Sequence, residues 1–320
     1  MNRRNLLIRA GALAATVGAA WWARETLLWP APKLAFADGH GSAWMPHARR
    51  ANVPTVRVRI AGHEVAALID TGAQYSVIDR RLVAALPETQ RSLFDMPLVA
   101  YGVGGGTQMG RGTTLALDLP GLAITGLRAA ILDLGPLATQ DGLNTPLIIG
   151  RDVLELAVLA IDPHRRHSRL IQPAAFVLPP DLAEAPVRKA GGAMIAEVSV
   201  EGSVIDAVVD TGASSMLALD TSSARGAGLL DGRPAETGSS LVLGGAMQAQ
   251  VIEARTVTFA DHLYERVKVG VFNEAPLPNF PGALIGMAAF VERRVALDLG
   301  NSRMFVSRPL DLTISAAGSN

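Results

Sequence analysis

The sequence predicts an all-β, bilobal protein, and three observations carry the prediction. A tetrapeptide, Asp-Thr-Gly-Ala, occurs twice, at residues 70–73 and 210–213. Each copy closes a short apolar run, Ala66-Ala67-Leu68-Ile69 and Ala207-Val208-Val209, that reads as a buried strand. A stretch holding Pro173, Pro179, Pro180 and Pro186 lies between the copies and reads as a stiff linker.

The repeat extends well beyond the tetrapeptide. The turn-like Gly62 and Gly202 precede the apolar runs at the same offset of 140 residues that separates Asp70 from Asp210. Tyr101-Gly102-Val103-Gly104-Gly105 aligns with Leu241-Val242-Leu243-Gly244-Gly245 at that offset. Leu147-Ile148-Ile149-Gly150 aligns with Ala283-Leu284-Ile285-Gly286 at a slightly shorter one, as does Ile161-Asp162 with Leu297-Asp298. One unit is thus used twice, with a small length change after its glycine loop.

These residues resemble the aspartic peptidases of the pepsin and retropepsin class. That class sets an apolar-apolar-Asp-Thr-Gly loop in each of two halves and passes an apolar-apolar-Gly strand beneath each loop. Residues 147–154, Leu-Ile-Ile-Gly-Arg-Asp-Val-Leu, are especially similar to the retropepsin segment after the crossing strand, and the resemblance covers roughly residues 53–309. It implies an acid-protease fold: two pseudo-twofold-related, β-barrel-like lobes, a cleft between them, and both Asp loops at its floor. Segments near 169–172 and 304–308 are expected to knit the lobes together. The resemblance further implies an endopeptidase with Asp70 and Asp210 catalytic, a polypeptide as substrate, no cofactor and no metal. Because the chain carries both halves, the catalytic unit is expected to be a monomer.

The chemistry follows from the residue types. Two carboxylates close together cannot both ionise easily, so the pair shares a proton and titrates as a unit. The ionised one can take a proton from a water; the neutral one can donate a hydrogen bond to a scissile carbonyl. Gly72 and Gly212 are expected to let the backbone turn sharply and to keep the approach free of a Cβ. Thr71 and Thr211 offer hydroxyls that, in the resembled class, bind the opposite loop. Ala73 and Ala213 match the retropepsin form, where pepsin-like enzymes carry Ser or Thr. Without that hydroxyl the dyad is expected to titrate higher, and a pH optimum below about 3 would count against this. Two rivals stay open: a peptide-binding protein without turnover, and a two-carboxylate glycosidase with its acids about 5 Å or about 6.5–9.5 Å apart.

Taken in order, the chain has 320 residues, equal numbers of acidic and basic side chains, and 49% hydrophobic residues. That is enough for large cores, and no basic footprint points to nucleic acid. With no cysteine, disulfides, a thiol nucleophile and thiolate metal sites are excluded. Residues 1–37 read as an export signal or an anchor. Arg3-Arg4-Asn5-Leu6-Leu7 is a twin-arginine start, residues 10–22 are mildly apolar, and Ala35-Phe36-Ala37 offers cleavage before Asp38. Trp21, Trp22 and Trp29 suit an uncleaved membrane anchor instead. Either way the expected location is the periplasm, free or membrane-anchored.

Residues 38–50 read as a flexible lead-in, 51–173 as the N-terminal lobe, 174–190 as the linker, 191–309 as the C-terminal lobe and 310–320 as a tail. Val and Ile alternate with Arg over residues 56–60, the mark of a half-exposed strand. Arg80 to Leu86 reads as a helical turn stopped by Pro87. Tyr101 and Gly102 are candidates for a flap over the cleft, the alternative being an aromatic packed beside a hairpin. Arg151 matches a retropepsin arginine that pairs with an acid, but Gln74 stands at the acid's place and Ser214 in the second repeat. His164 and His167 have metal-like spacing but lie in a basic turn with no third ligand, so no metal is assigned.

Overall fold

The computed structural model describes residues 30–49, 52–88, 92–101, 107–139, 143–242, 245–272 and 282–308. Each repeat closes into a six-stranded barrel. In the N-terminal lobe the ring runs Leu122–Leu132, Val77–Asp79, Leu147–Ile149, His63–Ile69, Thr55–Ile60, Thr107–Leu119 and back to Leu122–Leu132. In the C-terminal lobe it runs Ala193–Val200, Ser203–Val209, Ala283–Ile285, Leu217–Asp220, His262–Phe272, Gly245–Phe259 and back to Ala193–Val200. Closure leaves the ring itself without an unpaired edge.

Local sequence explains the strands. Along Thr55–Ile60 the arginines 57 and 59 are exposed while Val56, Val58 and Ile60 are buried, the two-residue period of a strand with one wet face. The hairpin into His63–Ile69 turns at Ala61 and Gly62, both with positive φ (51° and 81°). Its counterpart turns at Glu201 and Gly202 (51° and 88°). Two positive-φ residues in a two-residue turn match the twist of paired strands. The short helix Arg80–Ala85 is capped by Asp79, whose side chain accepts from Arg81 N–H, and it stops before Pro87.

In both lobes the strand that ends at the aspartate runs parallel to the apolar-Gly strand. Ile69 pairs with Ile149, and Val209 with Ile285. The strand after each loop then pairs with the other side of that crossing strand, antiparallel. The crossing strand is buried along its whole length, which is why it is apolar without alternation.

A third sheet joins the lobes. Its six strands, in order, are Leu182–Ala185, Arg303–Ser307, Val295–Asp298, Val158–Asp162, His167–Ile171 and Met45–Pro46. The two repeats meet at its centre, where Ala160 lies opposite Ala296. The segments expected near 169–172 and 304–308 both lie in this sheet. Val158, Ile171, Ala296 and Phe305 pack together from it, with Phe176 5.5 Å from Phe305 between ring centres. Burying a side chain of Phe305's size stabilises by about 2–3 kcal/mol.

Several segments differ from expectation. The expected lead-in at 38–50 is paired over part of its described residues: Met45–Pro46 joins the interlobe sheet, Met45 is buried, and Ser42 exchanges hydrogen bonds with Leu170. A two-residue strand is too short for any period to reveal. The Pro-rich 174–190 segment likewise holds two short strands, Leu182–Ala185 and Val187–Ala190, each paired with a neighbour. Lys33–Phe36, inside the segment expected to be an export signal or anchor, forms an outer strand on Leu122–Leu132, with Ala35 opposite Ala123. Cleavage before Asp38 would remove that strand. Among the described residues, no helix is long and apolar enough to cross a membrane.

Candidate active site

The two tetrapeptides meet between the lobes. Asp70 and Asp210 are each half-buried, and their carboxyl groups hydrogen-bond to one another. Each is held by its own loop. Asp70 Oδ1 accepts from Gly72 N–H at 2.8 Å and Ala73 N–H at 3.0 Å, and Asp210 Oδ1 accepts from Gly212 N–H at 2.8 Å. The aspartate backbones are tied to the crossing strands, Asp70 N–H to Ile149 O and Asp210 N–H to Ile285 O.

Burial pushes both carboxyls above the ordinary value of 3.8. For Asp210, which rises well above it, the Asp70 charge is the next largest cause. For Asp70, hydrogen bonds from Asp210, Ala73 and Gly72 and the charge of Arg151 pull the other way. One proton between two carboxyls is therefore the stable state of the pair.

The threonines lock the loops together. Thr71 Oγ1 donates to Val209 O at 2.7 Å and accepts from Thr211 N–H at 3.0 Å. Thr211 Oγ1 donates to Ile69 O at 2.8 Å and accepts from Thr71 N–H at 3.1 Å. All four groups are buried, so each bond spares an unmet donor or acceptor costing about 1–3 kcal/mol. The twofold exchange leaves neither loop free to shift without the other.

The glycines act by close approach. Neither Gly72 nor Gly212 has the positive φ that a sharp glycine turn would show. A Cβ on Gly72 would instead stand 2.8 Å from Asp210 Cγ, and one on Gly212 2.6 Å from Asp70 Cγ. Each glycine makes room for the opposite carboxylate. The crossing strands are as tight: a Cβ on Gly150 would lie 2.7 Å from Tyr75 O, and one on Gly286 2.6 Å from Ala213 O. Ala73 and Ala213 bring no hydroxyl to the dyad, and their N–H groups serve it instead.

Ser76 and Asp152 form a support that the sequence reading missed. Asp152 accepts from Ser76 N–H at 3.0 Å and Ser76 Oγ–H at 2.8 Å, and Ser76 Oγ accepts from Gly150 N–H at 3.1 Å. In the second repeat the positions of Ser76 and Asp152 hold Met216 and Ala288, and Gly286 N–H bonds the Met216 carbonyl. The repeat alignment itself carried that signal, as a polar pair in one copy and an apolar one in the other. Arg151 is buried beside this support with no partner on its Nε.

Tyr101 ends the strand Ser92–Tyr101, which forms a hairpin with Thr107–Leu119. Gly102 lies outside the described residues. The C-terminal lobe carries the matching hairpin, Ala235–Val242 with Gly245–Phe259. His164 and His167 lie on the interlobe sheet's hairpin. There His167 stacks on Trp44 at 4.0 Å, with Nε2 3.6 Å from Asp162. The nearby His47 is pushed down to about 4 by burial and by Arg166 and His167. Among the described residues, no three histidine, aspartate or glutamate side chains gather as a metal site.

Two closed β-barrels around a shared pair of aspartates define the acid-protease architecture. A family model described as Aspartyl protease matches the chain twice, over residues 56–153 and 196–289, one match to each lobe. The chain belongs to the aspartyl protease family. No curated protein matches it.

Proposed function

We propose that the protein is an aspartic endopeptidase that hydrolyses peptide bonds through a water activated by Asp70 and Asp210. The observation that carries this reading is the direct hydrogen bond between the two carboxyls across the lobes. The ionised carboxylate takes a proton from water, whose oxygen bonds to the peptide carbon. The carbonyl oxygen takes the proton of the neutral carboxyl, giving a gem-diol that collapses with the leaving nitrogen reprotonated. Touching carboxyls leave no room for the separation of about 5 Å or more that two-carboxylate glycosidases need. A binding protein without turnover would gain nothing from burying two acids side by side.

Cleavage of denatured casein by the purified protein tests the reading. Activity is expected, and Asp70→Asn and Asp210→Asn should each lower it by about 10²- to 10⁴-fold. Peptide binding without cleavage would replace it with the binding-protein reading. The rest of the proposal is a monomeric catalytic unit, an extended polypeptide as partner, no nucleic acid, and Tyr101 and Gly102 as a flap over the bound chain. It extends to export by the twin-arginine start to the periplasm, free or membrane-anchored. The pairing of Lys33–Phe36 favours an anchor, or cleavage upstream of Lys33. N-terminal sequencing of the exported protein decides this, and a mature start at Asp38 would contradict it.

A further inference from the structure

The first repeat covers a strand edge that the second leaves bare. In the N-terminal lobe Leu122–Leu132 has Thr107–Leu119 on one side. On its other side Val77–Asp79 takes residues 130–132 and Lys33–Phe36 takes residues 122–125. In the C-terminal lobe His262–Phe272 has Gly245–Phe259 on one side, and on the other Leu217–Asp220 takes only residues 269–272. Among the described residues, no strand pairs with the outer side of residues 262–265. Pro173-Ala174-Ala175-Phe176 stand at the repeat equivalent of Lys33–Phe36, but Pro173–Ala175 form a 3-10 turn and Phe176 packs on Phe305. The frame around them is kept: Met45–Pro46 and Leu182–Ala185 pair at matching registers, Met45 with Ser168 and Ala185 with Met304.

The bare edge has the backbone shape of the covered one. The pairs Leu119–Leu122 and Phe259–His262 close equivalent hairpins. Antiparallel pairing alternates from there, so Leu263 and Glu265 turn their N–H and C=O groups outward, as Ala123 and Thr125 turn theirs to Ala35 and Lys33. Gly126 and Arg266, both with positive φ (70° and 53°), end the two stretches alike. Exposure differs as a missing strand requires. Leu122 and Ile124 are buried, with Leu34 and Phe36 packed on the same core, whereas His262 and Tyr264 are partly buried and Leu263 is 52% exposed. The His262 ring meets Tyr264 edge-on at 4.4 Å, and Tyr264 Oη donates to Ala289 O at 2.8 Å, which holds the edge in place without a neighbour. Charge differs too. Glu265 replaces Thr125; it is exposed and in no ion pair among the described residues, while the adjacent Arg266 is taken by Glu253 at 3.1 Å.

An edge with outward N–H and C=O groups is a template for an added strand. We propose that residues 262–265 are a docking site for an extended segment of another polypeptide. It is added antiparallel, with a basic residue opposite Glu265 and apolar ones opposite Tyr264, Leu263 and His262. Lys33-Leu34-Ala35-Phe36 is the worked example of what such an edge holds. Laid on the second edge in the same register, that sequence sets Lys33 opposite Glu265, Leu34 opposite Tyr264, Ala35 opposite Leu263 and Phe36 opposite His262. The lysine then meets a carboxylate where its own lobe offers a threonine, and opposite charges on facing strands favour the pairing. The site takes no residue from the aspartate loops and stands apart from the peptidase reading.

The probe is a labelled synthetic peptide of residues 30–39, Pro-Ala-Pro-Lys-Leu-Ala-Phe-Ala-Asp-Gly, added to the full chain. The chain carries Asp70→Asn, so the peptide stays whole whatever the activity. Fluorescence anisotropy should show saturable binding. Glu265→Lys should weaken it about 5-fold, and a Lys33→Glu peptide should recover the affinity on that variant. Glu265 is exposed, so its replacement leaves the core untouched. No saturable binding, or binding indifferent to both charge reversals, overturns the proposal. Amide exchange locates the peptide: Leu263 and Glu265 N–H should exchange freely alone and slow when it is bound. Protection of Ala123 and Thr125 instead means that the peptide merely replaces the chain's own strand, and overturns the proposal. Protection of Leu263 and Glu265 before peptide is added does so too. If it disappears on dilution, the occupant is a second copy; if it persists, the chain closes the edge itself.

Discussion

The two lobes share a frame and differ in what surrounds it. Both carry the Asp loop, the threonine lock, the close-approach glycines and the buried crossing strand. The N-terminal lobe backs its loop with Ser76, Asp152 and Arg151, and the C-terminal lobe places Met216, Ala288 and Met287 there. The parts that bring two like charges together are duplicated. The parts that set the polarity around each charge are not. A shared proton needs the first kind of part on both sides, whereas a division of labour needs the second kind on one side only.

The equal parts should fail equally. Gly72→Ala and Gly212→Ala each drive a methyl into the opposite carboxylate, and each should lower kcat/KM by about 10²-fold or more while leaving most of the fold intact. A large effect in one lobe alone would mean that the carboxyls do not stand as close as described. Thr71→Val and Thr211→Val each strip two buried bonds from the lock. Denaturant melts should show losses of about 1–3 kcal/mol for either, and nearly the same for both.

The unequal parts should separate the lobes. Ser76→Ala should cost about 1–2 kcal/mol in the same melts, because Gly150 N–H and Asp152 each lose a partner. Met216→Ala should cost about 2–5 kcal/mol through lost packing, with no change in any polar contact. Selective recovery by a hydroxyl, in Ser76→Thr but not in Ser76→Val, distinguishes the two causes.

The smallest expected effect concerns pH. A carboxyl whose folded pKa is raised above its unfolded value supports folding fully below the unfolded value. It loses that support as pH rises through the folded one. Asp210, raised well above 3.8, is such a group. Asp210→Asn should therefore melt higher than the parent at neutral pH, by about 2–4 °C. The gap should open as pH rises from about 3.8 and level off above the raised value. A gap that widens as pH falls would place the Asp210 shift in the other direction.

Legibility varied with the length over which a pattern runs. The duplicated tetrapeptide, the crossing strands and the alternation over residues 56–60 were all readable, because each is a run whose burial imposes a period. The Met45–Pro46 and Lys33–Phe36 strands were not, since two or four residues held by backbone pairing leave no period to read. The Asp-Thr-Gly-Ala loops suggested sharp turning and an approach free of a Cβ for water and substrate, yet Gly72 and Gly212 have no positive φ and make room for the opposite carboxylate. That demand comes from a residue 140 positions away and has no local trace.

By itself the chain's residue order determined that one unit occurs twice, that each unit is built of short β-strands, and which two acids stand in the duplicated loops. Repetition and hydrophobic period are one-dimensional properties, and the fold inherits them directly. Only the tertiary structure decided that the acids touch and that each glycine faces the other lobe's carboxylate. Those facts depend on distances between residues far apart in the chain, and only folding sets such distances.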